Sequence, residues 1–391
     1  MILPDYNGGS IVNLAASILQ AFDIEPPQPP CHPDRLPAGM LRSGSGVVLV
    51  LCDALGALQL EAVLASGGAP NIQRLIEQSP QGLQRLTSVF PSTTSVALTS
   101  INTARSPAQH GLLGMWMWLE ELGVLGNMLE FRTATSPVAI DPELLRNGPT
   151  IYELLQRRQI PSAVVSPHQF ADSSFTSLLH RGARYLGYHS QAEIPHLLDL
   201  SMQETGRPSF HYVYWPMIDT TAHRHGPLSA AYYAEVEYAD LMVGKIAACC
   251  AARGYNLVFS ADHGQAALRP DRALALNENW LPLLRHPPAG GRRALYLATD
   301  HIDQLRRRIL ERDGILAVPT LEAIAQNWFG GDCTPYQSRL GDLLLLPLHD
   351  RQWIHDFGRG AQAYLGAHAG LSEDEMLVPL LAAHPSESRP L

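Results

Sequence analysis

The sequence of 391 residues predicts an α/β protein with a doubly wound, mostly parallel sheet and a small inserted cap subdomain. Short runs of β-branched and other apolar residues recur along the chain, and helical patterns separate them. A third observation is that the elements become shorter between about residues 269 and 360. Hydrophobic residues make up 46% of the chain and charged residues 17%, which is typical of a globular protein.

The first elements are an extended segment and a buried strand. Residues 1–45 are predicted to be a Pro-rich N-terminal lead-in, because the prolines between 26 and 37 exclude regular helix there. The run Gly46–Cys52 (GVVLVLC) is typical of a strand that is buried on both faces of a parallel sheet. A helical pattern around 58–65 follows it, so this part of the chain is predicted to be a βα unit.

Further strands and helices continue the alternation. Strands are predicted at 162–166, 210–215 and 256–261, with a long amphipathic helix around 229–253 before the last of them. The main core is predicted to comprise 46–268 and 361–391. The segment 269–360 is predicted to be the inserted cap, with the strand-like runs 292–298 and 342–348 and a basic helix at 301–312.

Charge and composition exclude several classes of protein. The formal net charge is −9 and basic residues do not cluster, which argues against a protein that coats nucleic acid. Lys245 is the only lysine, and its surroundings lack the glycine pattern of a P-loop. The five cysteines include no CxxC pair, so a reducing compartment is expected. Without a signal-peptide pattern or an apolar run of membrane-spanning length, we expect a cytoplasmic protein that binds no membrane.

Polar side chains follow several of the predicted strands. Asp53 comes directly after the first strand, Asp219 follows the strand at 210–215, and Asp262 and His263 follow the strand at 256–261. Thr93 and Thr94 come after the turn at Pro91. Ligands of open α/β sheets bind beyond the carboxyl ends of the strands, so these groups are expected to converge there.

Each of these residues has an ordinary explanation when it is taken alone. Asp53 can cap the next helix, Asp219 and His223 can belong to a turn, and His368 can be a surface or core histidine. Taken together, three aspartates and three histidines supply six ligands of the kind that zinc accepts, enough for two sites with three ligands each. Two zinc ions would make the pocket positive, and they would suit an in-line phosphoryl displacement with a threonine nucleophile.

These residues resemble the type I phosphodiesterase/nucleotide pyrophosphatase family of the alkaline phosphatase superfamily. The resemblance extends from about residue 46 to the end of the chain. Its motifs, in the family's order, are DALG at 53–56, FPSTTSVALTSINTARSPAQHG at 90–111, DTTAHRHGP at 219–227, ADHG at 261–264 and GAHAG at 366–370. It implies an alkaline phosphatase-like catalytic core that holds two Zn²⁺ ions, with other divalent metals possible.

The resemblance also implies a role for each site residue. Asp53, Thr94, Asp262 and His263 would surround one zinc, and the other zinc would be held by Asp219, His223 and His368. Thr94 would be the nucleophile, because the family's spacing from threonine to the HG pair at 110–111 leads to Thr94 rather than Thr93.

One position departs from the family's pattern. The pyrophosphatases carry an asparagine three residues after the threonine, and here that position is Ala97. Another donor must therefore contact the phosphate, and the candidates are Asn102, Asn127 and the backbone N–H groups at the start of the helix after Thr94.

The predicted function is a phosphodiesterase or nucleotide pyrophosphatase that acts on a small-molecule phosphoester such as a nucleotide. A phosphomonoesterase or phosphonate hydrolase of the same superfamily, and an inactive metal-binding protein, stay open as alternatives. A monoesterase would need a cationic clamp, for which Arg105 is the candidate in the threonine segment. Trp116 and Trp118 are interpreted as core or cap contacts rather than as walls of a base pocket.

Overall fold

The computed structural model describes residues 1–41, 44–134, 139–356 and 362–383. The α-helices are, in chain order, Ile11–Ala21 (α1), Ala57–Ala65 (α2), Pro70–Gln78 (α3), Thr94–Thr103 (α4), Pro107–His110 (α5), Ile151–Arg157 (α6), Ser174–Leu179 (α7), Ile194–Thr205 (α8), Met217–His225 (α9), Ala230–Arg253 (α10), Ile302–Leu310 (α11), Thr320–Ala325 (α12), Gln337–Leu340 (α13) and Glu373–Met376 (α14). Short 3-10 helices occupy Pro142–Leu145, His168–Phe170, Gln191–Glu193, Pro270–Arg272, Glu278–Leu283 and Thr334–Tyr336.

The strands divide between two large sheets and two small ones. In chain order they are Gly46–Cys52 (β1), Gln84–Thr87 (β2), Trp116–Leu119 (β3), Val124–Asn127 (β4), Arg132–Thr133 (β5), Ser162–Pro167 (β6), Arg184–Tyr188 (β7), Phe210–Trp215 (β8), Tyr255–Ser260 (β9), Ala266–Ala267 (β10), Leu274–Ala275 (β11), Ala289–Gly290 (β12), Leu295–Leu297 (β13), Ile315–Pro319 (β14), Leu343–Pro347 (β15), Trp353–Ile354 (β16), Gly366–Ala367 (β17) and Leu377–Ala383 (β18).

The main sheet confirms the predicted α/β class. Its strand order is β2-β18-β9-β1-β8-β6-β7. The strand β1 lies in the middle and is parallel to both β8 and β9, and β6 is parallel to β7 and β8. All seven residues of β1 are buried, as its continuous apolar run predicts. Only β18 runs against its neighbours β2 and β9, so the sheet is mostly parallel.

The helices pack in two sets around this sheet. The long helix α10 contacts α3, α8 and α9, whereas α1, α4 and α6 contact one another. Ser229 caps α10 with its hydroxyl, and Gly254 ends the helix in a left-handed conformation, so the boundaries predicted at 229 and 253 follow ordinary capping chemistry.

The second large sheet is antiparallel and combines distant parts of the chain. Its order is β14-β15-β13-β12-β3-β4-β5, so β3 to β5, from residues 116–133, join strands from residues 289–347. The boundaries of the cap at 269–360 stay a prediction, and residues 357–361 and 384–391 lie outside the described residues. The Pro-rich lead-in at 1–45 contains the buried helix α1, which its prolines did not predict.

The longest helix in the described ranges is α10, with 24 residues. No helix within those ranges is both long and apolar enough to cross a bilayer.

Candidate metal-binding active site

The predicted ligands lie at the carboxyl ends of three neighbouring strands. Asp53 directly follows β1, and Asp262 and His263 follow β9 after one intervening residue. The helix α9 begins soon after β8 and carries Asp219 and His223, which are one helical turn apart. DTTAHRH therefore forms a helix rather than a turn, and both of these side chains project from one face of it.

His368 and Thr94 reach the same place from other elements. His368 follows β17, a short strand that pairs with β10 just after the ADHG motif. Thr94 is the first residue of α4, and Thr93 is its N-cap. The Ser92 hydroxyl donates to the carbonyl of Gly370, so the threonine segment is tied to the loop that carries His368.

Asp53, Asp262 and His263 form one group of potential metal ligands. Their ligand atoms all lie within 4.8 Å of one another, and all three side chains are buried. Nε2 of His263 is 3.3 Å from Oδ2 of Asp262 and 3.5 Å from Oδ1 of Asp53. Thr94 borders this group, because its hydroxyl oxygen is 3.1 Å from the same Nε2.

Asp219, His263 and His368 form a second group with the same spacing. Oδ1 of Asp219 is 3.4 Å from Nε2 of His368 and 3.2 Å from Nε2 of His223. The rings of His263 and His368 stack with centroids 3.8 Å apart. His263 thus lies between the two groups, and His223 adjoins the second through Asp219.

His223, His263 and His368 all turn Nε2 toward the aspartates, because Nδ1 of each ring lies close to a backbone carbonyl. Nδ1 of His223 is 2.7 Å from the carbonyl of Gly366, and Nδ1 of His263 is 3.0 Å from that of Gly264. Nδ1 of His368 is 3.0 Å from the carbonyl of Ser92. A proton on Nδ1 satisfies each carbonyl, which leaves the Nε2 lone pair free to coordinate a cation.

The carboxylates also fit a cation. Among the described residues, Oδ1 of Asp53 and Oδ2 of Asp262 are buried and accept no hydrogen bond. Burial of an unpaired carboxylate oxygen is costly, and a bound metal ion removes that cost. The donor set of carboxylate oxygens and imidazole nitrogens therefore forms candidate sites for divalent metal ions.

Burial changes the pKa values in this cluster when no metal is bound. Burial, together with the charge of Asp219, raises the pKa of Asp262 to about 7, and burial and the charge of Asp262 raise that of Asp53. Burial lowers the pKa of His263 to about 4 and that of His368 to about 3. At neutral pH both histidines are therefore neutral, whereas Asp262 is still partly protonated.

These shifts predict that metal binding releases a proton from a carboxylic acid. At pH 6, below the raised pKa of Asp262, a cation must displace that proton, whereas His263 and His368 are already neutral. Despite the burial of His223, the charge of Asp219 raises its pKa, so His223 also gives up a proton when it binds a cation. We expect release of at least about one proton per chain at pH 6 and progressively less above pH 8. Titration calorimetry with zinc, in two buffers of different ionisation enthalpy, measures this number. Equal proton release at both pH values would contradict the prediction.

Two residues that sequence reasoning missed hold the aspartates in place. The phenol of Tyr214 donates to Oδ2 of Asp53, and the Gln265 amide donates to Oδ1 of Asp219. Tyr214 is a buried residue of β8, and Gln265 lies two residues after His263. The only available sequence signal was their closeness to the motifs, because hydrogen bonds across strands depend on the folded register.

A cavity of about 330 Å³ opens beside the two groups. Its walls include Thr94, Trp116, Asn127, Arg292 and Tyr364. Trp116 is nearly buried and still lines this cavity, so its interpretation as a core or cap contact alone was incomplete. Trp118 instead stacks on His286, with ring centroids 4.3 Å apart.

The predicted phosphate donors have different positions. Asn102 is fully buried, donates to the carbonyl of Leu98 and accepts from the Tyr152 phenol. Asn127 lines the cavity, and its Oδ1 accepts the backbone N–H groups of residues 129 and 130. Arg105 donates to the carbonyl of Pro149, 2.8 Å away, and does not line the cavity.

Comparison with protein-family models gives one match over most of the chain. The model described as type I phosphodiesterase / nucleotide pyrophosphatase matches residues 47–370. This range includes every residue of the two metal-ligand groups as well as Thr94 and His223. The search of curated protein sequences gave no significant match.

Solved structures share this fold at low sequence identity. Phosphonoacetate hydrolase from Sinorhizobium meliloti 1021 in complex with phosphonoformate matches with a TM-score of 0.66 and 19% identity, over 86% of this chain and 89% of that chain. Murine ectonucleotide pyrophosphatase/phosphodiesterase 5 matches with a TM-score of 0.68 and 14% identity, over 86% and 88%. An inactive variant of the murine protein in complex with AMP has the same TM-score and identity, over 87% and 88%.

Proposed function

Because this chain belongs to the type I phosphodiesterase / nucleotide pyrophosphatase family of metal-dependent hydrolases, we propose that it is a two-zinc phosphodiesterase with Thr94 as its nucleophile. The observation that carries the proposal is the position of the Thr94 hydroxyl, 3.1 Å from Nε2 of His263, which lies between the two ligand groups. The inactive murine relative is a threonine-to-alanine variant, which supports a threonine in this role.

The ligand set supports two zinc ions. Asp53, Asp262 and His263 would hold the first ion beside Thr94, and Asp219, His223 and His368 would hold the second. Mixed nitrogen and oxygen donors suit zinc. When bound, the ions would lower the pKa of a nearby hydroxyl and stabilise the negative charge that develops on the attacking and leaving oxygens.

Thr94 is well placed for attack on phosphorus. Thr93 and Thr94 both line the cavity, but Thr93 is buried, as is Ser95, whereas Thr94 is only half-buried. Its hydroxyl loses a proton to solvent, the bond from Oγ1 to phosphorus forms, and the leaving oxygen departs and is protonated by water. A water molecule then attacks the phosphorylated threonine and restores Thr94. The start of α4 presents backbone N–H groups to the transferred group.

Asn127 is the donor that we propose in place of the asparagine absent at Ala97. Its side-chain oxygen is occupied by two backbone N–H groups, so its Nδ2 is oriented as a donor at the cavity wall. Asn102 is buried with both of its polar atoms paired, and it cannot serve.

A diester is the substrate class that these walls favour. Arg105 bonds to a backbone carbonyl away from the cavity, so the clamp considered for a monoester dianion is absent from that position. The apolar side of the cavity, with Met115, Trp116 and Leu129, can accommodate a second organic group. The five cysteines are free thiols, which supports the cytoplasm as the location.

The hydrolysis rates of bis-(p-nitrophenyl) phosphate and p-nitrophenyl phosphate test this substrate class. For the zinc-loaded protein we expect kcat/KM to be at least about tenfold higher for the diester, because the monoester lacks the group that contacts the apolar wall. A higher value for the monoester would contradict a diesterase. Activity on neither ester, together with release of phosphate from phosphonoacetate, would favour the phosphonate chemistry of the bacterial structural relative.

A further inference from the structure

A tight turn between β12 and β13 carries two consecutive arginines, Arg292 and Arg293, in opposite environments. The N–H of Gly291 donates to the carbonyl of Ala294, 2.7 Å away, and closes the turn around them. Arg293 is buried and Arg292 lines the cavity. The turn therefore places one guanidinium inside the protein and the other at the cavity wall.

The buried arginine fixes the turn. Arg293 forms a bidentate ion pair with Glu375, with distances of 3.0 and 2.9 Å, and both side chains are nearly inaccessible to solvent. It also donates to backbone carbonyls in the segment 347–351. Such a paired and fully bonded guanidinium is rigid, so the position of the adjacent Arg292 is well defined.

Arg292 has no anionic partner among the described residues. Its guanidinium donates to the carbonyl of Gln362 and lies over the ring of Tyr364, 4.0 Å from the ring centroid. Both contacts orient a guanidinium, and neither neutralises its charge. Most of its five N–H donors therefore bond to no other residue within the described ranges and can contact a ligand in the cavity.

Tyr364 contacts both this guanidinium and His223 of the metal-ligand cluster. Its ring centroid is 4.8 Å from that of His223 and 4.0 Å from the guanidinium carbon of Arg292. Gln352, which is fully buried, holds the Tyr364 backbone through hydrogen bonds of 2.7 and 3.0 Å.

We propose that Arg292 forms an anion subsite, so that the substrate carries a second anionic group, a carboxylate or a phosphoryl group, besides the phosphorus attacked by Thr94. This inference rests on the proposed function, which gives the position of the attacked phosphorus. It adds that the part of the substrate remote from this phosphorus carries a negative charge. A guanidinium offers paired N–H groups that match the two oxygens of either anion. The ring of Tyr364 lies against both Arg292 and His223, so the subsite adjoins the metal-ligand residues.

The binding of three phosphonates tests the subsite. Each has a P–C bond in place of an ester bond, so it offers no ester to hydrolyse. They are propylphosphonate, 3-phosphonopropionate and ethane-1,2-diphosphonate, which share one phosphonate and differ at the other end. We expect calorimetry on the zinc-loaded protein to show that one or both of the ligands with two anionic groups bind at least about tenfold more tightly than propylphosphonate. The ligand that gains identifies the second anion as a carboxylate or a phosphoryl group.

The variant Arg292→Gln should remove this gain and leave the binding of propylphosphonate within about twofold of wild type. Arg292→Lys should keep part of the gain, because it retains the charge without the planar donors. Arg308→Gln is the matched control, since Arg308 is also a half-buried arginine that donates to a backbone carbonyl, that of Asn279, and it lies outside the cavity, so it should keep the full gain. Zinc content and thermal unfolding establish that each variant is folded.

Three results would overturn the proposal. The first is equal binding of all three phosphonates by the wild-type protein, and the second is an undiminished gain in Arg292→Gln. The third is an equal loss for all three ligands in Arg292→Gln, which would assign Arg292 to the attacked phosphoryl group itself. Because the ligands report binding rather than turnover, failure of Thr94 as nucleophile would not produce any of these results.

Discussion

Replacing Thr94 with alanine is expected to reduce hydrolysis of a phosphodiester by at least about 10⁴-fold while the zinc content of the protein stays unchanged. The large loss follows because the hydroxyl is the group that forms the bond to phosphorus. The metal content is maintained because the aspartates and histidines around it supply the other ligands. Steady-state kinetics and elemental analysis of the same preparation measure both quantities.

Thr93 provides the matched control for this substitution. It precedes Thr94 as the N-cap of α4, and its hydroxyl makes no capping hydrogen bond. Thr93→Ala should therefore retain turnover within about tenfold of wild type, since the cap it removes is already unused. If Thr93→Ala were the inactive variant and Thr94→Ala the active one, the nucleophile would be the other threonine.

Replacing His263 is expected to remove the zinc ion beside Thr94. Its Nε2 lies near the ligand atoms of both groups, but its one lone pair binds one ion, the ion assigned to Asp53 and Asp262. His263→Ala should therefore weaken this site by more than the roughly 10–100-fold that loss of an outer-shell partner costs. His223→Ala should leave the first site intact and retain about half of the bound zinc. Zinc per chain, measured after dialysis against a weak chelator, should fall by about half in each variant and to almost none in the double variant.

His225 is the control for the histidine series. It lies on the same helix as His223 but is exposed, and His225→Ala should retain the metal content of wild type. Circular dichroism separates loss of metal from loss of fold, because the imidazole of His263 is fully buried and its removal also leaves a small cavity. A folded His263→Ala protein that holds as much zinc as wild type would contradict the assignment of this residue as a zinc ligand.

The convergence of these polar side chains could be predicted from the sequence because most of them follow strand ends. Buried parallel strands such as Gly46–Cys52 are recognisable from their continuous apolar residues, and their carboxyl ends must meet at one edge of the sheet. Asp53, Asp262 and His263 could therefore be expected to converge before their contacts were known. Asp219 and His223 also belong to this cluster, although they lie on a helix rather than in a turn.

The cavity wall was much harder to predict. The strands β3 and β4, at 116–127, pair with each other and reach the segment 289–297 through the single pair of Gly290 with Trp116. Short strands with such a long sequence separation carry no local signal for their partner. The position of Trp116 at the cavity follows from this pairing. The position of Arg292 at the cavity wall follows from the pairing and from the ion pair of the adjacent, buried Arg293 with Glu375.

Mass spectrometry of acid-quenched turnover tests the central claim most directly. Zinc-loaded protein is mixed with bis-(p-nitrophenyl) phosphate, quenched in acid within milliseconds and digested with a protease. We expect the peptide that contains Thr94 to carry the phosphoryl group with its remaining p-nitrophenyl ester, bonded to the threonine oxygen. Turnover with an unmodified Thr94, or with the phosphoryl group on another residue, would contradict the proposal that Thr94 is the nucleophile.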